Sequence, residues 1–486
     1  MALLLRILSE RYSLYFLKII CGISDSNIDN FFKKIELVKA LRMSNITKLR
    51  GASCFLVFQV IFKLVFSGKN LYQLLTSKPE DLPFGKDVIY DFLNSCSYNW
   101  RKFLLILSSK IINSKIYSLT SKNRVNVLIF DDSLYSRSRS KAVELLSRVH
   151  DHASGKYVKG FRMLTMGWSD GNSFIPVAFS LLSSTNPNTQ INGVNENIDK
   201  RTNGYKRRKE ALKKTTETMF DLLKGAVKYA IPVDYVLFDS WFAYPKVIKK
   251  VLGHNMQVIC RLKAMYRVYY IYKGKKLNLK DLYKKLDKDH KNRVVASAVV
   301  GLGKDKNDKE IKAKIIFVKN DNDKSQWIAL LSTNIDLDAE EIIRIYGKRW
   351  DIEVFFKMNK SYLRLAKEFQ GRSYDSMFAH TTIVFTRYIM LTLDVRKNED
   401  EKTFGGMFFE YCDELKDLSH IEALFLIIDL FKKTLHDYST LTEEKINDLL
   451  DYFFELLPSY IKKSLTVIID RFEVKDSIVL LGKKTG

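Results

Sequence analysis

Four polar side chains that share one face of a helix-patterned stretch point to chemistry. In "IYGKRWDIEVFFKMNK", residues 345 to 360, Tyr346, Arg349, Glu353 and Lys360 follow one another at gaps that suit one helix. At about 100° per residue a helix brings all four within roughly 60° of one another. Ile345, Ile352, Phe356 and Leu363 fall on one flank of this stripe, and Trp350, Val354 and Met358 on the other, the pattern of a helix wedged into a protein. The plain alternative is a solvated polar face. The functional one is a carboxylate for a cation, with Arg349 and Lys360 suited to phosphate oxygens.

Glu353 needs partners, and two upstream segments offer them. The apolar run "VNVLIF" is followed by Asp131 and Asp132, and "VDYVLF" by Asp239. Both runs read as strands from the middle of a sheet, and ligands of mixed α/β sheets gather where strands end. Aspartates at strand ends are also common turn formers and helix caps. Three converging carboxylates repel one another unless a cation compensates them, and hard oxygen donors select Mg²⁺ or Mn²⁺. Two such ions about 3.5 to 4 Å apart can activate a water or a 3′ hydroxyl and stabilise the leaving oxygen of a phosphodiester. Strand alternation sends Asp131 and Asp132 to opposite faces, so only one of the two can face the metals.

The surrounding elements set where these residues stand. Residues 1 to 120 carry helical periodicity without a convincing strand and read as a helical, basic, DNA-binding domain. Residues 121–254 give the first part of an α/β core. It holds the strand before Asp131, then "GFRMLTMGW" and "SFIPVAFSLL" joined by the turn "SDGN", then "YKRRKEALKKTTETMFDLLKGAVKYA" as one long amphipathic helix, then the strand before Asp239. Residues 255–332 alternate as strands between lysine-rich loops and read as a β-rich insertion. Residues 333–370 return to the core with the Glu353 helix, and 371–486 are helical in pattern, suited to assembly.

Composition bounds the function. The 486 residues, 46% hydrophobic, support a multi-domain globular chain, and 80 Lys and Arg against 55 Asp and Glu give a formal charge of +25. That bias favours a polyanion, nucleic acid before an anionic membrane surface. Five scattered cysteines, none in a CxxC pair, support neither a disulfide framework nor a cysteine zinc site. His150 and His152 in "VHDHASGK" lack a third ligand for zinc. The most apolar run, "ASCFLVFQVIFKLVF", is too short to span a bilayer and reads as a buried helix. No export signal is expected from "MALLLRILSERY", so a cytoplasmic, nucleoid-associated location without a membrane partner is the expectation.

The stripe resembles the Tyr, two residues, Arg, three residues, Glu, six residues, Lys signature of DDE transposases of the insertion-sequence-four family; all four positions match. The resemblance covers about half the chain by motif and the ends only by layout. It implies an RNase H-like core with a β insertion between the second Asp and the Glu, and cut-and-paste transposition with Mg²⁺ (Mn²⁺ as substitute). The implied metal ligands are Asp131, Asp239 and Glu353, with Asp132 the alternative first acid; Asp131 is preferred because Ser133 then falls where the family has Ser or Thr. "FDSWF" is close to the family's second-acid context, with Trp241 and Phe242 slightly off its spacing.

Further roles follow from the same likeness. Tyr346 and Arg349 would grip a phosphate near the transposon end and Lys360 the same strand. The family flips a base onto aromatic side chains, for which Trp327 is the candidate. Arg201, Arg207 and Arg208, with Lys206 and Lys209, could track the DNA backbone. The implied partners are double-stranded DNA, as terminal inverted repeats and as target, and a second copy of the chain on that DNA. Two rivals remain: an inactive DNA-binding regulator derived from a transposase, and a nuclease of the same fold that hydrolyses without joining strands.

Overall fold

The computed structural model describes residues 27–65, 70–77, 84–121, 124–151, 154–289, 291–305, 308–320, 327–368 and 371–396, with residues 445, 449 and 452. The chain divides into two compact units, one of Met1–Asp170 with Phe174–Met390, the other of Gly171–Ser173 with Leu391–Gly486. The first holds Asp131, Asp239 and Glu353 with the elements that carry them. The expected helices beyond residue 396 fall in the second unit and lie outside the described residues, apart from those three positions, as does His152.

Among the described residues six α-helices come first: α1 (Asn27–Lys34), α2 (Leu37–Met43), α3 (Cys54–Lys63), α4 (Leu71–Ser77), α5 (Lys86–Asn94) and α6 (Trp100–Ile111). Their core is aromatic, with the rings of Phe32 and Phe62 edge to face at 4.9 Å and those of Phe58 and Phe103 tilted at 5.7 Å. The apolar run read as a buried helix is α3. Ser53 caps it by accepting from the Leu56 amide, and Val57, Phe58, Ile61 and Phe62 are buried.

One eleven-stranded sheet follows. Its strands are β1 (Val127–Ser136), β2 (Ser147–Asp151), β3 (Lys156–Ser169), β4 (Phe174–Leu182), β5 (Tyr235–Phe238), β6 (Gln257–Leu262), β7 (Tyr270–Tyr272), β8 (Lys275–Leu277), β9 (Val294–Lys304), β10 (Glu310–Lys319) and β11 (Trp327–Ser332). The order is β2-β3-β1-β5-β6-β11-β10-β9-β7-β8, and β4 pairs with β3 beyond the end of β2. β5 and β6 run parallel to β1, while β3 runs antiparallel to it. The strands after β6, which lysine-rich loops separate, extend the same sheet, because β11 pairs antiparallel with β6.

Two close approaches require glycine. A Cβ on Gly167 would lie 1.9 Å from the Phe174 ring, and one on Gly160 would lie 2.3 Å from the Tyr135 carbonyl oxygen. Both glycines therefore let β3 run flush against its neighbours.

Between β4 and β5 the expected single long helix is two, α7 (Asn203–Ala211) and α8 (Thr215–Lys228). The Ser183 amide takes the Ala211 carbonyl, so tertiary pairing ends α7 where sequence periodicity would continue it. α9 (Pro245–Leu252) crosses from β5 to β6, and α10 (Leu279–Lys285) follows β8. Then come α11 (Ala339–Gly347), α12 (Trp350–Ser361) and α13 (Tyr374–Arg396). Among the described residues no helix is long and apolar enough to cross a membrane.

A buried triad ties the first helices to α13. Arg387 donates to Glu368 at 2.8 and 2.9 Å and to the carbonyls of Phe62 and Ile61, and His380 shares Glu368 at 3.1 Å. Burial opposes the charge on Glu368, yet Arg387 and His380 hold its carboxyl down to about 2.

Candidate active site

β1 does not stop at the acids. It continues to Ser136 because β3, fourteen residues long, pairs with it throughout, matching Asp131 to Thr165 and Asp132 to Leu164. The parallel partner β5 is shorter: Phe130 pairs with Phe238, and Asp239 is the next residue. Asp131 and Asp239 therefore lie one step past the last parallel pair, side by side in register. The pleat turns Asp131 and Ser133 to one face and Asp132 to the other. On that other face Arg162 Nε binds Asp132 Oδ2 at 3.0 Å.

The stretch that opened the sequence reading is two helices rather than one. Its seam lies at Lys348 and Arg349, where the Lys348 amide donates to Ile345 and the Arg349 amide to Tyr346, three residues back instead of four. Such a tight turn eclipses side chains three apart. The Arg349 guanidinium accordingly lies 5.9 Å from the Tyr346 ring centre. Lys348 explains the seam, because its buried amine donates to the carbonyls of Val125 at 2.6 Å and Asp170 at 3.0 Å, pinning the turn to the residues just before β1 and just after β3.

From that seam Arg349 reaches two acids. Its Nη1 donates to Asp131 Oδ2 at 3.2 Å and its Nη2 to Glu353 Oε1 at 2.6 Å. Lys360, two turns beyond Glu353, donates from Nζ to Ser133 Oγ at 2.5 Å, on the Asp131 face of β1. Burial pushes the Asp131 carboxyl up to about 7; Arg349 pulls it down, while Asp132 and Glu353 add to the rise. The negative charges of Glu353, Asp131 and Asp239 all act on Arg349. Tyr346 has its hydroxyl buried without a hydrogen-bond partner among the described residues.

The donor set has the chemistry of a hard-cation site, all carboxylate oxygen. Among the described residues, however, no three His, Cys, Asp or Glu side chains converge enough to enclose an ion. Arg349 bridges two of the three acids in this arrangement, so a divalent cation fits the donors only once that guanidinium is displaced.

Other expected residues stand elsewhere. Arg207 and Arg208 are corrections: they are buried, 7% and 2% exposed. Arg207 binds Asp375 and the Tyr98 carbonyl, while Arg208 binds Glu144 at 2.6 Å and Asp375 at 2.7 Å, so neither can follow a DNA backbone. Arg201 is exposed and paired with Asp199 at 2.9 Å. Trp327 packs in a cluster with Tyr283 and Phe317, centroids 5.1 and 4.9 Å away, as a strand residue of β11.

Sequence reasoning gave no role to two further side chains. Trp241, two residues past Asp239, is 54% exposed with the Arg162 guanidinium 5.4 Å from its ring centre, and "FDSWF" carried that signal. Asp351 is half-buried, accepts from Ser169 Oγ at 2.5 Å, and desolvation of its carboxyl pushes it up to about 6.

Family comparison meets this geometry at the acids. The family model described as DDE superfamily endonuclease matches residues 64–278, and that of the archaeal transposase ISC1217 matches residues 188–375. The likeness is to DDE transposases. Asp131 lies in the first match, Glu353 with Tyr346, Arg349 and Lys360 in the second, and Asp239 in both. The two matches make the chain similar to transposase-like nucleases of the DDE superfamily, whose enzymes typically use divalent metals. No curated protein matches the chain.

Proposed function

We propose that the protein is a DDE transposase of the insertion-sequence-four type, which cuts its element from double-stranded DNA and joins the ends to a target. The observation that carries this reading is Arg349 holding Asp131 and Glu353, from β1 and α12, beside the register position of Asp239. The order β4-β3-β1-β5-β6, with β3 antiparallel and β5 and β6 parallel to β1, supports an RNase H-like core.

Asp131, Asp239 and Glu353 would hold Mg²⁺ or Mn²⁺. The metal, when bound, activates the attacking oxygen and stabilises the leaving one. Arg349 and the Tyr346 hydroxyl grip a phosphate of the end DNA, and Lys360 contacts the same strand. The helices before β1 contribute to end recognition, and the working form on DNA is a homodimer at the nucleoid.

Glu353→Gln should abolish Mg²⁺-dependent cleavage of the DNA that flanks the reading frame while leaving mobility-shift binding intact. Undiminished cleavage overturns the assignment. Joining of released 3′ ends to a supercoiled target, scored in the wild type, separates a transposase from a nuclease that only hydrolyses.

A further inference from the structure

Arg349 stands where the proposed chemistry needs another cation. One guanidinium donates to Asp131 at 3.2 Å and to Glu353 at 2.6 Å, and the three side chains are only 17%, 19% and 33% exposed. A Mg²⁺ ion draws its oxygens to about 2.0–2.1 Å, so it cannot share the space between those carboxylates with a guanidinium. Its planar fork matches phosphate as well as carboxylate, which makes a DNA phosphate a chemically equivalent new partner. The side chain springs from the seam between α11 and α12, so it can be redirected without breaking the hydrogen bonds of either helix.

Resting on the reading of the acids as a metal site, we propose that Arg349 is a built-in counter-ion: it holds the metal position closed until a DNA phosphate draws it away. Without DNA the guanidinium occupies Asp131 and Glu353 and offsets part of their charge, so they bind divalent metal weakly. With a phosphate on Arg349, Asp131 and Glu353 are released together and demand a cation. By linkage, DNA strengthens metal binding and metal strengthens DNA binding by the same factor.

The test follows Mn²⁺ binding to the full chain by loss of the free-ion electron paramagnetic resonance signal, with circular dichroism checking the fold. Without DNA, Arg349→Ala should bind Mn²⁺ about tenfold or more tightly than the wild type, and Arg349→Gln, which keeps most of the bulk, should shift the same way; a tenfold change corresponds to about 1.4 kcal/mol. Adding Glu353→Gln should remove the gain. Wild type saturated with flanking duplex DNA should gain a comparable factor, and Arg349→Ala none.

The counter-ion role is overturned if wild type without DNA already binds Mn²⁺ through Glu353 as tightly as Arg349→Ala, a result that leaves the metal site standing. If no variant shows Glu353-dependent Mn²⁺ binding with or without DNA, the metal-site reading itself falls.

Discussion

Arg349 donates to Asp131 across 218 positions of the chain, from the seam between two helices to the middle of the central strand. This bond exists only after β1 has found both β3 and β5 and after Lys348 has docked the seam on the Val125 and Asp170 carbonyls. The site is thus a product of the tertiary fold, and no local segment contains it. Burying charge is costly unless it is paired and hydrogen-bonded. Here one guanidinium serves two carboxylates, which keeps the cluster tolerable without an ion.

The pairing does not fully compensate Asp131, and that gives a pH signature. Its carboxyl stands near 7 in the folded chain against an ordinary 3.8, so between those values the folded state holds a proton that the unfolded state has lost. Stability therefore falls as pH rises from about 4 to about 7 and levels above. Asp351, pushed up to about 6, adds a fall of the same sign. In chelator, Asp131→Asn should melt higher than wild type at pH 8, by about 2 °C or more, with the gap closing at pH 4.5. An equal gap at both values would show that the effect is not titration of Asp131.

Arg207 and Arg201 separate structural from exposed cations. Arg207 is buried against Asp375, and removing one partner of a buried pair typically costs about 3–5 kcal/mol. Arg207→Ala should therefore sharply lower the melting temperature or solubility, whereas folded molecules of that variant should bind DNA normally. Arg201→Ala should leave melting unchanged, since its pair with Asp199 lies in solvent. Its DNA affinity, measured against salt, reports whether that arginine meets phosphate.

The parts legible in sequence were those with a period or a motif. The runs before Asp131 and Asp239 show as strands because both faces are apolar, and the Tyr, Arg, Glu, Lys stripe shows because its spacing is helical. The seam at Lys348 was invisible: residues on either side keep helical dihedrals, and what breaks the ladder is an amine bonding to distant carbonyls. The extension of β1 past its acids depends on the length of β3, another non-local fact. Arg207 and Arg208 looked like a basic helix start because their acidic partners, Glu144 and Asp375, are remote in sequence. A charge run says nothing of its burial when the neutralising groups come from other elements.

Lys348 offers a check on the seam. Burial drives its amine down to about 8 from 10.5, so the folded state gives up a proton more readily than the unfolded state does between these values. The stability contribution of Lys348 therefore improves as pH rises from about 8 to about 10. Lys348→Met keeps the apolar stem but strands two carbonyl acceptors, each costing about 1–3 kcal/mol. We expect a lower melting temperature and, because Arg349 loses its footing, slower cleavage even at temperatures where the variant is folded. Full activity with an unchanged melting temperature would show that the seam does not depend on this amine.

Asp131 and Asp132 are adjacent and chemically identical, yet the pleat assigns them different work. Asp131 meets Arg349 on the face of Glu353, whereas Asp132 meets Arg162, whose guanidinium lies against Trp241. Asp131→Asn should therefore remove metal-dependent cleavage by several orders of magnitude with binding retained. Asp132→Asn should keep cleavage within about tenfold, a barrier change of about 1.4 kcal/mol. Its principal effect should be a freer Trp241, read as a change in the fluorescence or acrylamide quenching of that exposed indole, with Trp241→Phe as the control. If the two asparagine variants exchange these phenotypes, the register of β1 against β3 is off by one, and the metal-facing acid is Asp132.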